Sequence, residues 1–154
     1  MVCVSEASAP HHADARVARL VALYESLVPA DLPALRGLYA DDASFKDPFN
    51  AVQGVAAIAR IFDHMFRTLD GPRFQVLNTV AEGDHVFLTW DFHFRRRDQG
   101  AAPMCIHGAS HLRFNARGQV VMHRDYWDAA EELYQKLPLL GVLMRWLKRR
   151  LGSA

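Results

Sequence analysis

An α+β domain, with helices packed on one face of a curved, mainly antiparallel sheet, is the fold class this chain predicts. Three observations carry it. Apolar residues recur at helical spacing from Val17 to Leu69, the period changes to two from Phe74 onward, and the changeover falls on the breaker Asp70-Gly71-Pro72. Helices therefore come first and four consecutive strands follow.

The first helix is carried by Val17, Leu20, Val21, Tyr24, Leu27 and Val28, a spacing that puts Tyr24 on the buried stripe, and Pro29 ends it. A second helix is expected from Asp31, an N-cap with Pro33 in its first turn, burying Leu35, Leu38 and Tyr39 before the acidic pair Asp41 and Asp42. In the segment 44–50, SFKDPFN, Pro48 pushes Asp47 toward extended geometry, which places Asp47 on a short strand or its edge. A turn at Pro48 could equally use that carboxylate. Beyond Gly54, Ile58, Ile61, Phe62, Met65, Phe66 and Leu69 form a wide helical stripe.

Strands are expected at 74–81, 85–96, 104–114 and 119–128, joined by turns at Glu82-Gly83-Asp84 and Asn115-Ala116-Arg117-Gly118 and by a polar connection through Pro103. On the last strand, alternation puts Val121, His123, Asp125 and Trp127 on one face. Strand 85–96 leaves two arrangements open. Either its apolar side (Val86, Leu88, Trp90, Phe92, Phe94) meets the helices while Thr89, Asp91 and His93 face outward, or the mixed side lines a pocket and a second subunit buries the apolar one. Asp128 and Glu131 then mark the start of a helix from about 129, which Pro138 breaks. A basic, leucine-rich helix with Trp146 is expected at 139–151, with a packing or lid role favoured over membrane binding.

With 154 residues, 51% hydrophobic and 23% charged, the chain fits one domain at 15–151 behind a polar tail at 1–14. Lys plus Arg (18) balances Asp plus Glu (17), so no overall field points to nucleic acid. The opening residues lack the pattern of a signal peptide, and no apolar run approaches a membrane span. Cys3 and Cys105 are too few and too badly placed for a disulfide framework, which suits a reducing, cytoplasmic compartment. No metal is expected: His11 and His12 read as a solvated pair, and His107 and His111 lie too far apart along their strand to share an ion.

The segments GLYADDASFKDPFNAVQGVAAI (37–58), HLRFNARGQVV (111–121) and HRDYWDAAEEL (123–133), in that order, resemble the ketosteroid isomerase-like, limonene epoxide hydrolase-like and SnoaL-like group of the nuclear transport factor 2-like superfamily. The resemblance covers roughly residues 16–135. It implies a cystatin-like conical roll with a deep pocket between helices and sheet, no cofactor, and a homodimer packed through the outer sheet face.

It also implies roles. Asp47 falls where the isomerases keep a proton-shuttling carboxylate, Tyr24 (or Leu23 without a one-residue gap) at their tyrosine donor, and Ser110 at their protonated Asp. Asp125 and Asp91 match the carboxylate pair of the epoxide hydrolases, with Thr89 in place of the bridging arginine. The expected catalytic group is thus Asp47, Asp125, Asp91 and His123, and the expected ligand contacts are Tyr24, Phe45, Thr89, His93, Ser110 and Trp127. The ligand implied is a compact hydrophobic molecule, turned over by carboxylate acid–base chemistry as in an isomerase, cyclase or hydratase. A binding module without catalysis is the alternative.

Overall fold

The computed structural model describes residues 13–96 and 103–129. The expected tail through residue 12, the connection at 97–102 and the helices expected after 129 lie outside them. Helix α1 spans Ala15–Ser26, started by Asp14, whose carboxylate accepts from the Arg16 backbone N–H at 2.8 Å. That bond satisfies one of the amide groups a helix start leaves open. Val17, Leu20, Val21 and Tyr24 form its buried stripe.

The expected second helix is shorter than its periodicity suggests. A 3-10 turn at Pro29–Ala34 leads into a single helical turn, α2 (Leu35–Leu38), and Tyr39 already opens strand β1 (Tyr39–Lys46). Gly37, Asp41 and Asp42 are weak helix formers. The ladder to the last strand, beginning at Tyr39 opposite Val120, outweighs what helix preference remains.

Strand β2 (Ala51–Gln53) folds back on β1, and α3 (Val55–Thr68) follows Gly54, whose φ of +94° only glycine adopts readily. Strands β3 (Leu69–Glu82), β4 (His85–Arg96), β5 (Pro103–Phe114) and β6 (Val120–Tyr126) make the expected meander. Strand β3 starts five residues before the expected Phe74. The breaker is absorbed as an irregularity between Asp70 and Arg73, while Leu69 and Asp70 still pair with Arg96 and Arg95.

The sheet order is β2-β1-β6-β5-β4-β3, antiparallel throughout except for the parallel β1–β6 pair. Helix α1 packs over β3, and α3 over β1 and β3. Of the two arrangements left open for β4, the first holds: Val86, Leu88, Trp90, Phe92 and Phe94 are buried in the core beneath the helices. Thr89, Asp91 and His93 consequently face the other way.

Near its start β6 carries a bulge, because Phe114 pairs with Val120 but Arg113 with Met122. Val121 is the extra residue, so the inward place before His123 belongs to the fully buried Val120 rather than to Val121. Gly108 on β5 serves the same face. A Cβ at Gly108 would lie 2.2 Å from the Trp90 indole, so only glycine lets that ring lie across β5. No helix among the described residues is long and apolar enough to cross a membrane.

Candidate functional site

Between α1, α3 and the inner face of the sheet lies a cavity of about 430 Å³. Its walls are mostly aromatic. Helix α3 contributes Phe62 and Met65, β3 and β4 contribute Phe74, Trp90, Phe92 and Phe94, β1 contributes Phe45, and the β1–β2 turn contributes Phe49. Ser110, His123, Asp125 and Trp127 add the polar groups from β5, β6 and the residue after β6.

Side chains two apart on a strand share a face, so His123 and Asp125 both project inward, and His123 Nε2 lies 2.7 Å from Asp125 Oδ1. Ser110, directly across the β5–β6 ladder from Asp125, donates to the same oxygen at 2.5 Å. Trp90 Nε1–H donates to Ser110 Oγ at 2.8 Å, which commits the serine proton to Asp125. The other ring nitrogen, His123 Nδ1, faces Tyr39 Oη at 2.6 Å and Tyr24 Oη at 3.0 Å, and the two hydroxyls also bond each other.

Proton positions follow from this geometry. Burial, then the neighbouring Tyr39, hold the Tyr24 hydroxyl well above the usual phenol range, and burial does the same to Tyr39 against the bond from Tyr24. Both phenols keep their protons. Tyr39 therefore donates to Nδ1, Tyr24 donates to Tyr39, and the imidazole proton sits on Nε2, pointed at Asp125. Every donor in the series is spent on Asp125 Oδ1 or on the group behind it. Asp125 Oδ2 has no partner among the described residues, and the side chain keeps 16% of its exposure in the cavity wall.

Asp47 is in the cavity lining but is otherwise engaged. Its Oδ1 accepts from the backbone N–H of Phe49 at 2.7 Å and of Asn50 at 2.5 Å, and its Oδ2 from Asn50 Nδ2 at 2.9 Å. It shapes the turn before Pro48, and its carboxylate has few lone pairs left for a substrate.

The structure thus brings together seven of the ten expected site residues: Tyr24, Phe45, Asp47, Ser110, His123, Asp125 and Trp127 all line the cavity. Thr89, Asp91 and His93 do not, and their expected place in the pocket is corrected by the parity of β4. On the outer face, Asp91 is 2% exposed and its Oδ1 meets His107 Nδ1 at 2.5 Å. Thr89 Oγ1 accepts there from Asn78. The epoxide hydrolase-like carboxylate pair is therefore split across the sheet.

Tyr39 and Trp90, whose apolar spacing marks them only as buried side chains, give polar contacts to His123 and Ser110, and His64 lies at the cavity rim on α3. For His64 a signal existed, because it falls between Ile61 and Met65 on the stripe edge. Metal chemistry finds poor footing. Ligand atoms of Asp91, His93 and Cys105 lie within 4.8 Å of one another, but Cys105 is disulfide-bonded and offers no thiolate.

A family model for the SnoaL-like domain matches residues 20–123. Among solved structures, a hypothetical protein of ketosteroid isomerase-like fold from Catenulispora acidiphila, in complex with trimethylamine, superposes with a TM-score of 0.67 at 19% identity, over 85% of this chain and 96% of that one. A candidate SnoaL-like polyketide cyclase from Shewanella putrefaciens gives 0.66 at 16% identity, over 79% and 98%. AclR, a candidate hydroxylase from Streptomyces galilaeus, gives 0.64 at 19%, over 91% and 96%. At such identities the likeness establishes the fold, a nuclear transport factor 2-like α+β cone, and leaves chemistry to the site.

Proposed function

The chain belongs to the SnoaL-like domain family, and from that premise we propose that it is a cofactor-free enzyme moving a proton on a compact hydrophobic molecule, as an isomerase, cyclase or hydratase does. The observation that carries the proposal is the half-committed carboxylate of Asp125. One oxygen is fixed by Ser110 and His123, while the other has no partner among the described residues, on a side chain that lines an aromatic cavity. A base held this way starts oriented, and in an apolar enclosure it sheds little water before reacting.

The roles follow from the same bonds. Asp125 takes the proton at Oδ2. As it does so, the carboxyl becomes neutral and the bonds from Ser110 and His123 weaken, which favours giving the proton back to another atom of the substrate. His123, fixed by Tyr39 and Tyr24, orients Asp125, and the aromatic walls hold the substrate body. Asp47 holds the turn that carries Phe49 and Asn50 rather than acting as a second base.

A second reading has one observation in its favour. With Asp47 engaged in its turn and Asp91 on the outer face, a single carboxylate remains, which would suffice for a ligand carrier. A homodimer through the outer face is also proposed, supported by the exposed Val80, Phe87 and Tyr126 there. A cytoplasmic location is proposed as well, in keeping with the lack of any described helix long and apolar enough to cross a membrane.

A thermal-shift screen of steroids, terpenoid epoxides, aromatic polyketides and small enones against wild type and Asp125→Asn tests the proposal. The expected hit stabilises both proteins and is converted only by wild type. Conversion undiminished in Asp125→Asn would remove the mechanism, and binding without conversion in either would establish the carrier.

A further inference from the structure

Resting on the reading of the cavity as a ligand site, we infer that the site selects by charge: it takes a ring-containing hydrophobic molecule whose polar end is an uncharged donor or a protonated amine, and it rejects acids. Among the described residues, the lining holds two carboxylates, Asp47 and Asp125, and no lysine or arginine. The nearest cations in sequence turn elsewhere. Lys46 and Arg124 border a shallow basin outside the cavity, and the Arg124 guanidinium sits 4.9 Å over the Tyr126 ring.

Donors that could receive an anion are already spent. Trp90 donates to Ser110 and Ser110 to Asp125, while the Asn50 amide is bound to Asp47 and the Thr68 hydroxyl to a backbone carbonyl of α3. His123 has both ring nitrogens bonded, which leaves the Trp127 indole and the exposed His64 at the rim. An acid entering this space would lose its water and gain no counter-charge from the described residues.

A donor meets the opposite situation. Asp125 Oδ2 is an acceptor without a partner among the described residues, and the ring faces of Phe45, Phe62 and Trp127 carry the negative quadrupole that attracts cations. Asp47 and Asp125 line the adjoining outer basin as well as the cavity, so the negative charge extends over both.

Three ligands of one skeleton test the inference by calorimetry at neutral pH: 2-naphthylmethanol, 2-naphthylmethylamine as its ammonium ion, and 2-naphthoate. In wild type the alcohol and the ammonium bind, and naphthoate binds at least about tenfold more weakly than the alcohol. In Asp125→Asn the gap between ammonium and naphthoate narrows by about tenfold. Naphthoate binding as tightly as the alcohol in wild type overturns charge selection and leaves the ligand site standing. Failure of all three to bind at millimolar concentration overturns the ligand site and the selection with it. The wild-type order decides the matter even if the variant does not fold.

Discussion

Two histidine–aspartate pairs sit on one sheet, His123–Asp125 on its inner face at 2.7 Å and His107–Asp91 on its outer face at 2.5 Å, and only the first borders the cavity. Asp91 is the more deeply buried of the two carboxylates. Bond length and burial therefore do not distinguish a working pair from a structural one. What distinguishes them is the surroundings: Asp125 lines the aromatic cavity, whereas Asp91 lies on the opposite face of the sheet and lines no part of it.

The two pairs therefore fail differently when broken. Asp91→Ala should cost about 2–3 kcal/mol of folding stability, the range for leaving a hydrogen-bond partner of a buried group unsatisfied. Asp125→Ala should cost only about 1–2 kcal/mol, from the stranded donors of Ser110 and His123. Urea denaturation of both variants measures it, and the reverse order would break the comparison.

Next in size is Gly108→Ala. With a Cβ 2.2 Å from the Trp90 ring, overpacking should cost about 2 kcal/mol. Because the indole must leave Ser110 to make room, ligand affinity should fall too, and unchanged affinity would show that Trp90 is only a wall. Tyr39→Phe should then cost about 1 kcal/mol, more than Tyr24→Phe, since Tyr39 holds the shorter bond to His123 Nδ1. A larger loss in Tyr24→Phe would reverse the donor order derived above.

The smallest effect belongs to the outer face. Burial, followed by His85 for His111 and Arg73 for His93, holds both imidazoles below their ordinary value of 6.5. A depressed histidine binds its proton more readily in the unfolded chain, so its contribution is present above pH 6.5 and is lost as pH falls through the folded value. Melting temperature should decline below that pH, and His111→Asn should flatten the decline. A decline equally steep in the variant would assign it elsewhere.

Much of this was legible in the sequence. Helices α1 and α3 and strands β4 to β6 follow from apolar period and breakers, and alternation from His123 onward accounts for the shared face of His123, Asp125 and Trp127, while the bulge takes Val121 off it. Tyr39 was misplaced because its apolar spacing continues a helix that the ladder to Val120 ends. Asp91 was misplaced because alternation separates two faces of a strand without saying which one the helices cover. The contact of Trp90 with Gly108 and Ser110 depends on register between β4 and β5, which no single strand encodes.

The most direct test of Asp125 as an oriented base needs no natural substrate. 5-Nitrobenzisoxazole loses its carbon-bound proton to a base as its N–O bond breaks, giving a coloured cyanophenolate whose appearance reports the rate. Wild type should accelerate the opening, Asp125→Asn should lose about 100-fold or more of that acceleration, and Asp91→Asn should stay within about twofold of wild type. A rate that survives Asp125→Asn, or that falls equally in Asp91→Asn, would contradict the assignment of the inner pair as the working one.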